Sequence, residues 1–105
     1  MLSLDPNPFS PDMDGFEDFL SIHYALPMYS STIRIKIYDA VGRMIRHLSP
    51  GEPAASSGTF IWDGRDDDGN LVRLGMYIIL VEALDNFGGV SLVNRDVAVV
   101  AKKLR

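Results

Sequence analysis

The 105-residue chain contains no cysteine. That removes disulfide frameworks, thiolate metal sites and cysteine nucleophiles together, and leaves the compartment open. No apolar run approaches the length of a membrane-spanning helix. The longest, Met76 to Val81, resumes beyond Glu82 at Ala83 and Leu84 and has the composition of a buried strand. The opening MLSLDPNPF lacks the basic and apolar stretches of a secretory signal, so an exported parent protein is expected to carry that signal upstream. Basic charge is also scarce: 10 Lys+Arg stand against 14 Asp+Glu, a net charge of −4. Such a balance works against a phosphate backbone, and no nucleic-acid partner is expected. Helical periodicity is missing too, because glycine, proline or β-branched residues interrupt every stretch that would otherwise repeat at i, i+3, i+4 and i+7.

What the chain does have is alternation. Ile33, Ile35 and Ile37 share one side of an extended segment with Arg34 and Lys36 on the other. Leu20, Ile22, Tyr24 and Leu26 alternate in the same way with Ser21, His23 and Ala25, and Phe60 and Trp62 with Thr59, Ile61 and Asp63. Further strands are expected over Arg43–Leu48, where Arg46 breaks the alternation, over Met76–Leu84, and over Leu92–Val100 with a bulge near Asn94–Asp96. Turn signals separate them: Leu26-Pro27, Asp39 to Gly42, Ser49 to Pro53, Asp66 to Asn70, and Asn86 to Gly89.

Short strands at this spacing predict an all-β fold, an antiparallel β-sandwich of about seven strands. At 47% apolar content and this length the chain needs no staples: folding hides roughly 65% of its surface and leaves about 5,800 Å² exposed. A single domain is expected, with residues 1–18 as a lead-in segment and 19–105 as the sandwich. Trp62, the only tryptophan, is expected at the centre of the core, whereas Phe9, Phe16, Tyr29, Tyr38 and Phe87 are expected to be partly exposed.

Three groups of residues invite a chemical reading. Asp12, Asp14 and Asp18 are spaced as DxDGxxD around Gly15, a pattern that can converge oxygen ligands on Ca²⁺. The same residues suit an Asp/Gly turn whose carboxylates bond neighbouring amides, and the pattern lacks the register of an EF-hand loop. The second group, Asp63 to Asn70, reads as a turn rather than a catalytic carboxylate pair, since paired acids face each other across a cleft. His23 and His47 fall at outward strand positions with no reactive partner fixed beside them, and no G-x-S-x-G elbow or phosphate loop is present. No catalytic role is therefore expected. At the end of the chain, Lys102, Lys103 and Arg105 form a basic tip accessible to a receptor.

In order, Asn7-Pro8-Phe9, Ile37-Tyr38-Asp39 with Gly42-Arg43, Trp62-Asp63-Gly64, Gly69-Asn70 and Gly75-Met76-Tyr77 form a recognisable series. It resembles the immunoglobulin-like C-terminal domain similar to that of the flagellar hook-capping protein, over about residues 5–105. Domains of this kind commonly act as C-terminal sorting domains of type IX secretion. The resemblance implies a noncatalytic, monomeric module at the end of a larger protein delivered outside the cell or to its surface. Its implied partners are secretion or attachment machinery and the upstream domains of its parent. The ending Val97 to Lys103 resembles the strand-plus-lysine terminus of such domains, which marks Lys102 and Lys103 as recognition residues. A carbohydrate-binding or adhesive module and a hook-cap-like assembly domain are the alternatives.

Overall fold

The computed structural model describes residues 2–11, 18–25, 32–52, 57–84 and 90–101, with the backbone alone for 49–52 and 90–92. Its strands are β1 (Leu2–Asp5), β2 (Leu20–Ala25), β3 (Thr32–Asp39), β4 (Met44–Glu52), β5 (Ser57–Trp62), β6 (Gly75–Leu84) and β7 (Val90–Val100), with no helix among the described residues. They form two antiparallel sheets, β1-β2-β5 and β4-β3-β6-β7.

The inward faces are those given by the alternation. Leu20, Ile22 and Tyr24 of β2 are buried opposite Ile33, Ile35 and Ile37 of β3, while Tyr77, Ile79, Val81 and Ala83 come from β6 and Ala98 and Val100 from β7. Each large apolar side chain here contributes about 1.5–3 kcal/mol relative to exposure. On the outward face of β3, Arg34 and Lys36 share Glu82 of β6, at 3.4 and 3.1 Å. Trp62 is fully buried between two rings, 5.4 Å from Phe9 and 5.7 Å from Tyr77, both tilted as aromatic quadrupoles prefer. The molecule measures 47 × 24 × 19 Å, and its surface of 6286 Å² exceeds the sequence expectation because it is elongated along the strands.

Four expectations are corrected. The lead-in segment contains a strand of its own, β1, pairing Leu2 with Tyr24 through Asp5 with Ser21; four residues are too few for alternation to announce. Phe9 is 1% exposed rather than partly exposed, because the chain carries it onto Trp62. The turn expected over Ser49 to Pro53 is in part strand, since β4 runs on to Glu52, which pairs with Ile33. No bulge occurs at Asn94–Asp96, where pairing with Val81, Leu80 and Ile79 is regular. Register shifts instead lie near Leu84 in the β6–β7 pairing and along β4, where Arg46 faces Ile37 and Met44 faces Tyr38, leaving Ile45 as the extra residue.

Candidate functional site

Strand directions collect Asp39 to Arg43, Asp63 to Leu74, Ser10, Pro11 and Ala101 at one end of the sandwich. The first of these is a tight β3–β4 turn built on Asp39. Its Oδ1 accepts from the Val41 and Arg43 amides, at 3.0 and 2.9 Å, and its Oδ2 accepts from Arg43 Nε at 2.8 Å. The Arg43 amide above all, with the Arg43 side chain and the Val41 amide, holds the Asp39 carboxyl below the usual carboxylate range against a smaller opposing effect of burial. Gly42 follows at φ 90°.

The long β5–β6 connection organises itself similarly. Asp63 Oδ1 accepts from the Arg65 amide, and Asp66 Oδ1 accepts from the amides of Asp68 and Asn70. Arg65 donates to the carbonyl of Gly69 and in turn offers its own carbonyl to Trp62 Nε1 at 2.9 Å. Arg46, arriving from the other sheet, donates to Asp63 Oδ1 and to the same Arg65 carbonyl. Gly64 is required here: its φ is 76°, and a Cβ would lie 2.7 Å from Pro11 Cγ. The Asp63–Asn70 segment is thus the turn that the sequence predicts, with Asp63, Asp66 and Asp67 bonded to backbone amides.

The lead-in segment then seals the end of β7. Asn7 Nδ2 donates to the Val97 carbonyl and Asn7 Oδ1 accepts from the Val99 amide, both at 2.9 Å, so the side-chain amide takes the place of a neighbouring strand's peptide group. The Phe9 amide continues the ladder to Val99, and the Ala101 amide bonds to Phe9. Between this segment and the β5–β6 connection lies an apolar groove of about 290 Å³, lined by Ser10, Pro11, Leu71, Val72, Leu74, Val100 and Ala101. Leu71 and Leu74 stand well exposed on its wall. Beside it a second hollow holds Asp39, Arg43, Asp66, Arg73 and Tyr77. The Tyr77 phenol donates to the Arg73 carbonyl at 2.8 Å, and burial above all raises its pKa.

The candidate residues from the sequence fare differently. Asp12, Asp14, Lys102 and Lys103 lie outside the described residues, as do Phe16, Tyr29 and Phe87. Asp18 sits just ahead of β2, and no group of three or more metal-ligating side chains is assembled among the described residues. His23 and His47 are exposed as expected: His23 Nδ1 lies 2.9 Å from Thr59 Oγ1, and the His47 amide donates to Asp67. The groove itself went unnoticed in the sequence. Its one local signal was Leu71, Val72 and Leu74, apolar residues directly after the segment read as a turn.

The FlgD Ig-like domain pattern matches residues 12–86. The chain belongs to the FlgD Ig-like domain family. This FlgD Ig-like domain is 44% identical over 57 residues to the basal-body rod modification protein FlgD of Salmonella typhimurium and to that of Salmonella typhi. The matched segment is 54% of this chain and 24% of each relative, so it spans about a quarter of their length. The solved FlgD structure from P. aeruginosa superposes over 77% of this chain and 60% of its own, with a TM-score of 0.64 and 27% identity. PorZ, an essential bacterial surface component of the type-IX secretion system of Porphyromonas gingivalis, shares the fold: 22% identity, a TM-score of 0.60, and coverage of 96% of this chain but 11% of PorZ. In the FlgD Ig-like domain, Trp62-Asp63-Gly64 therefore has a concrete role: core ring, anchor for Arg46, and seat for Pro11.

Proposed function

We propose that this FlgD Ig-like domain is a noncatalytic module of a larger exported bacterial protein, acting by protein–protein contact in secretion sorting or cell-surface attachment. The family match over residues 12–86 supports a contact module, and the likeness to PorZ, a surface component of a type-IX secretion system, supports the secretion context. Relatives of that family include a protein named for modifying the basal-body rod, which is work done on an assembly rather than on a small substrate. The apolar groove at the tip supports a contact role, since it exposes leucines that the core does not use.

The test is made in the parent gene by removing Lys102 to Arg105 and leaving β7 whole. A longer cut from Val97 would remove the partners of Asn7 and Phe9 and unfold the domain for unrelated reasons. Loss of the parent from the medium and cell surface, with the truncated domain still melting cooperatively, is the expected result. Normal delivery would overturn the sorting role.

A second reading, hook-cap-like assembly, is favoured by the 44% identity to the Salmonella proteins. A parent gene lying among flagellar genes supports it, whereas a parent with an N-terminal signal and a catalytic or adhesive region supports sorting.

A further inference from the structure

A strand at the side of a sheet leaves every second peptide group without a partner, and proteins keep such edges from pairing with other chains by bulges, prolines, charges or a covering segment. Three of the four outer strands here carry those devices. β4 is bulged along its pairing with β3 and contains Pro50, and Asp67 takes up two of its peptide groups: the Asp67 amide donates to the Ile45 carbonyl and Asp67 Oδ1 accepts from the His47 amide, both at 3.1 Å. β7 carries exposed Arg95 and Asp96, and Asn7 and Phe9 bond along it at Val97 and Val99. β1 is four residues long, includes Asp5 and stops at Pro6. β5 has none of these protections. Ser57-Gly58-Thr59-Phe60-Ile61-Trp62 holds no charge and no proline, its pairing with β2 runs without a register shift, and no strand or bridge lies on its other side among the described residues.

The row of open peptide groups specifies its occupant, because only another extended backbone sets acceptors and donors at the same spacing. The side chains along the row say what that backbone carries. On the inward side, Tyr24 lies so close against Gly58 that a Cβ there would be 2.7 Å from the phenol oxygen, and its ring stacks at 5.9 Å on Phe60, which is only partly buried. On the outward side Ile61 is 51% exposed. An added strand therefore meets apolar surface on both of its faces. A second copy of the chain does not fit. It could add its own β5 only antiparallel, about a two-fold axis normal to the sheets. β1 lies beside β7 at one side of the sandwich, so at the other side β5 stands over β3 and β4 overhangs it; Ile45 and Leu48 of β4 accordingly stay partly exposed, while Ile33, Ile35 and Ile37 of β3 are fully covered. The axis would drive each overhanging β4 into the other copy's β3. A single strand brings no second sheet with it and settles beside β5, above β4.

We infer that the open edge of β5 takes an extended segment of a partner protein as a fourth strand of the β1-β2-β5 sheet, with aliphatic side chains set against Phe60 and Ile61. This rests on the reading of the domain as a contact module and gives that reading a surface. It is tested on the 105-residue chain by itself, so its outcome is separate from that of the Lys102–Arg105 truncation. The probe is acetyl-Thr-Val-Thr-Val-Thr-Val-amide, beside a counterpart methylated at every peptide nitrogen, which keeps the side chains and loses the donors. In the free protein, hydrogen exchange should be slow at the alternate β5 amides turned to β2 and fast at the others. With the first peptide at millimolar concentration, the fast amides among Ser57 to Ile61 should slow roughly tenfold or more, with no change along β4 or β7. The methylated peptide should have no effect. Equal protection by the methylated peptide, protection at β4 or β7 instead of β5, no protection by either peptide, or protection of β5 that rises with protein concentration alone would overturn the proposal.

Discussion

Arg46 Nη1 lies 3.2 Å from Asp63 Oδ1, joining β4 of the four-stranded sheet to the segment that leaves the three-stranded one. The same nitrogen reaches the Arg65 carbonyl at 3.1 Å, and Asp67 Oδ1 lies 3.9 Å from Nε. Both partners are partly exposed, so the ion pair itself is screened, and most of its worth lies in fixing the connection above Trp62. Arg46→Ala should cost about 1–2 kcal/mol, read as a lower urea midpoint at unchanged slope. Arg46→Lys should recover only part of it, because a single ammonium does not reproduce the guanidinium fork.

Asn7 closes the edge of β7 with one donor and one acceptor, and the two can be separated. Asn7→Asp keeps the acceptor for the Val99 amide but sets a carboxylate oxygen against the Val97 carbonyl; Asn7→Ala loses both bonds. Each variant should cost about 1–2 kcal/mol. Hydrogen exchange at the Val99 amide should speed up more in the alanine variant than in the aspartate one, and equal protection in all three proteins would remove Asn7 from this role.

Trp62→Ala should cost roughly 3–5 kcal/mol, since the side chain is fully buried between Phe9 and Tyr77. Trp62→Phe isolates the lost bond to the Arg65 carbonyl together with a smaller ring, and should fall well below that. Denaturant titrations followed by circular dichroism distinguish the two. A loss below about 1 kcal/mol for the alanine variant would contradict the core placement.

The Asp39 carboxyl is held below its unfolded value, so its contribution is fully present above a pH of about 3.9 and is lost as pH falls through the lower folded value. Asp39→Asn keeps an acceptor for the Val41 and Arg43 amides but has no charge to titrate. The wild-type chain should therefore lose stability relative to the variant on acidification below that pH, and parallel acid-unfolding curves would show that the turn carries no such linkage.

Gly64→Ala combines a left-handed backbone with a Cβ placed against Pro11, and should lower the melting temperature by several degrees. Gly42→Ala shares the backbone cost but meets open space, so it should be milder.

The sequence by itself determined which faces of its main strands turn inward. Period-2 burial at Leu20 to Tyr24, at Ile33 to Ile37 and at Phe60 to Trp62 follows from side chains alternating across a pleated strand, and needs no partner to be read. The amide-bonded turn at Asp63 to Asn70 was legible for the same local reason, because Asp and Gly act on amides two to four residues away. Only the tertiary structure decided the rest. Asn7 meets Val97 and Val99, and Pro11 packs beside Gly64, far along the chain, and no local pattern encodes which edge a lead-in segment will cover. Phe9 was misread as exposed because its burial depends on that crossing, and the groove exists only where the crossing, β7 and the β5–β6 connection converge.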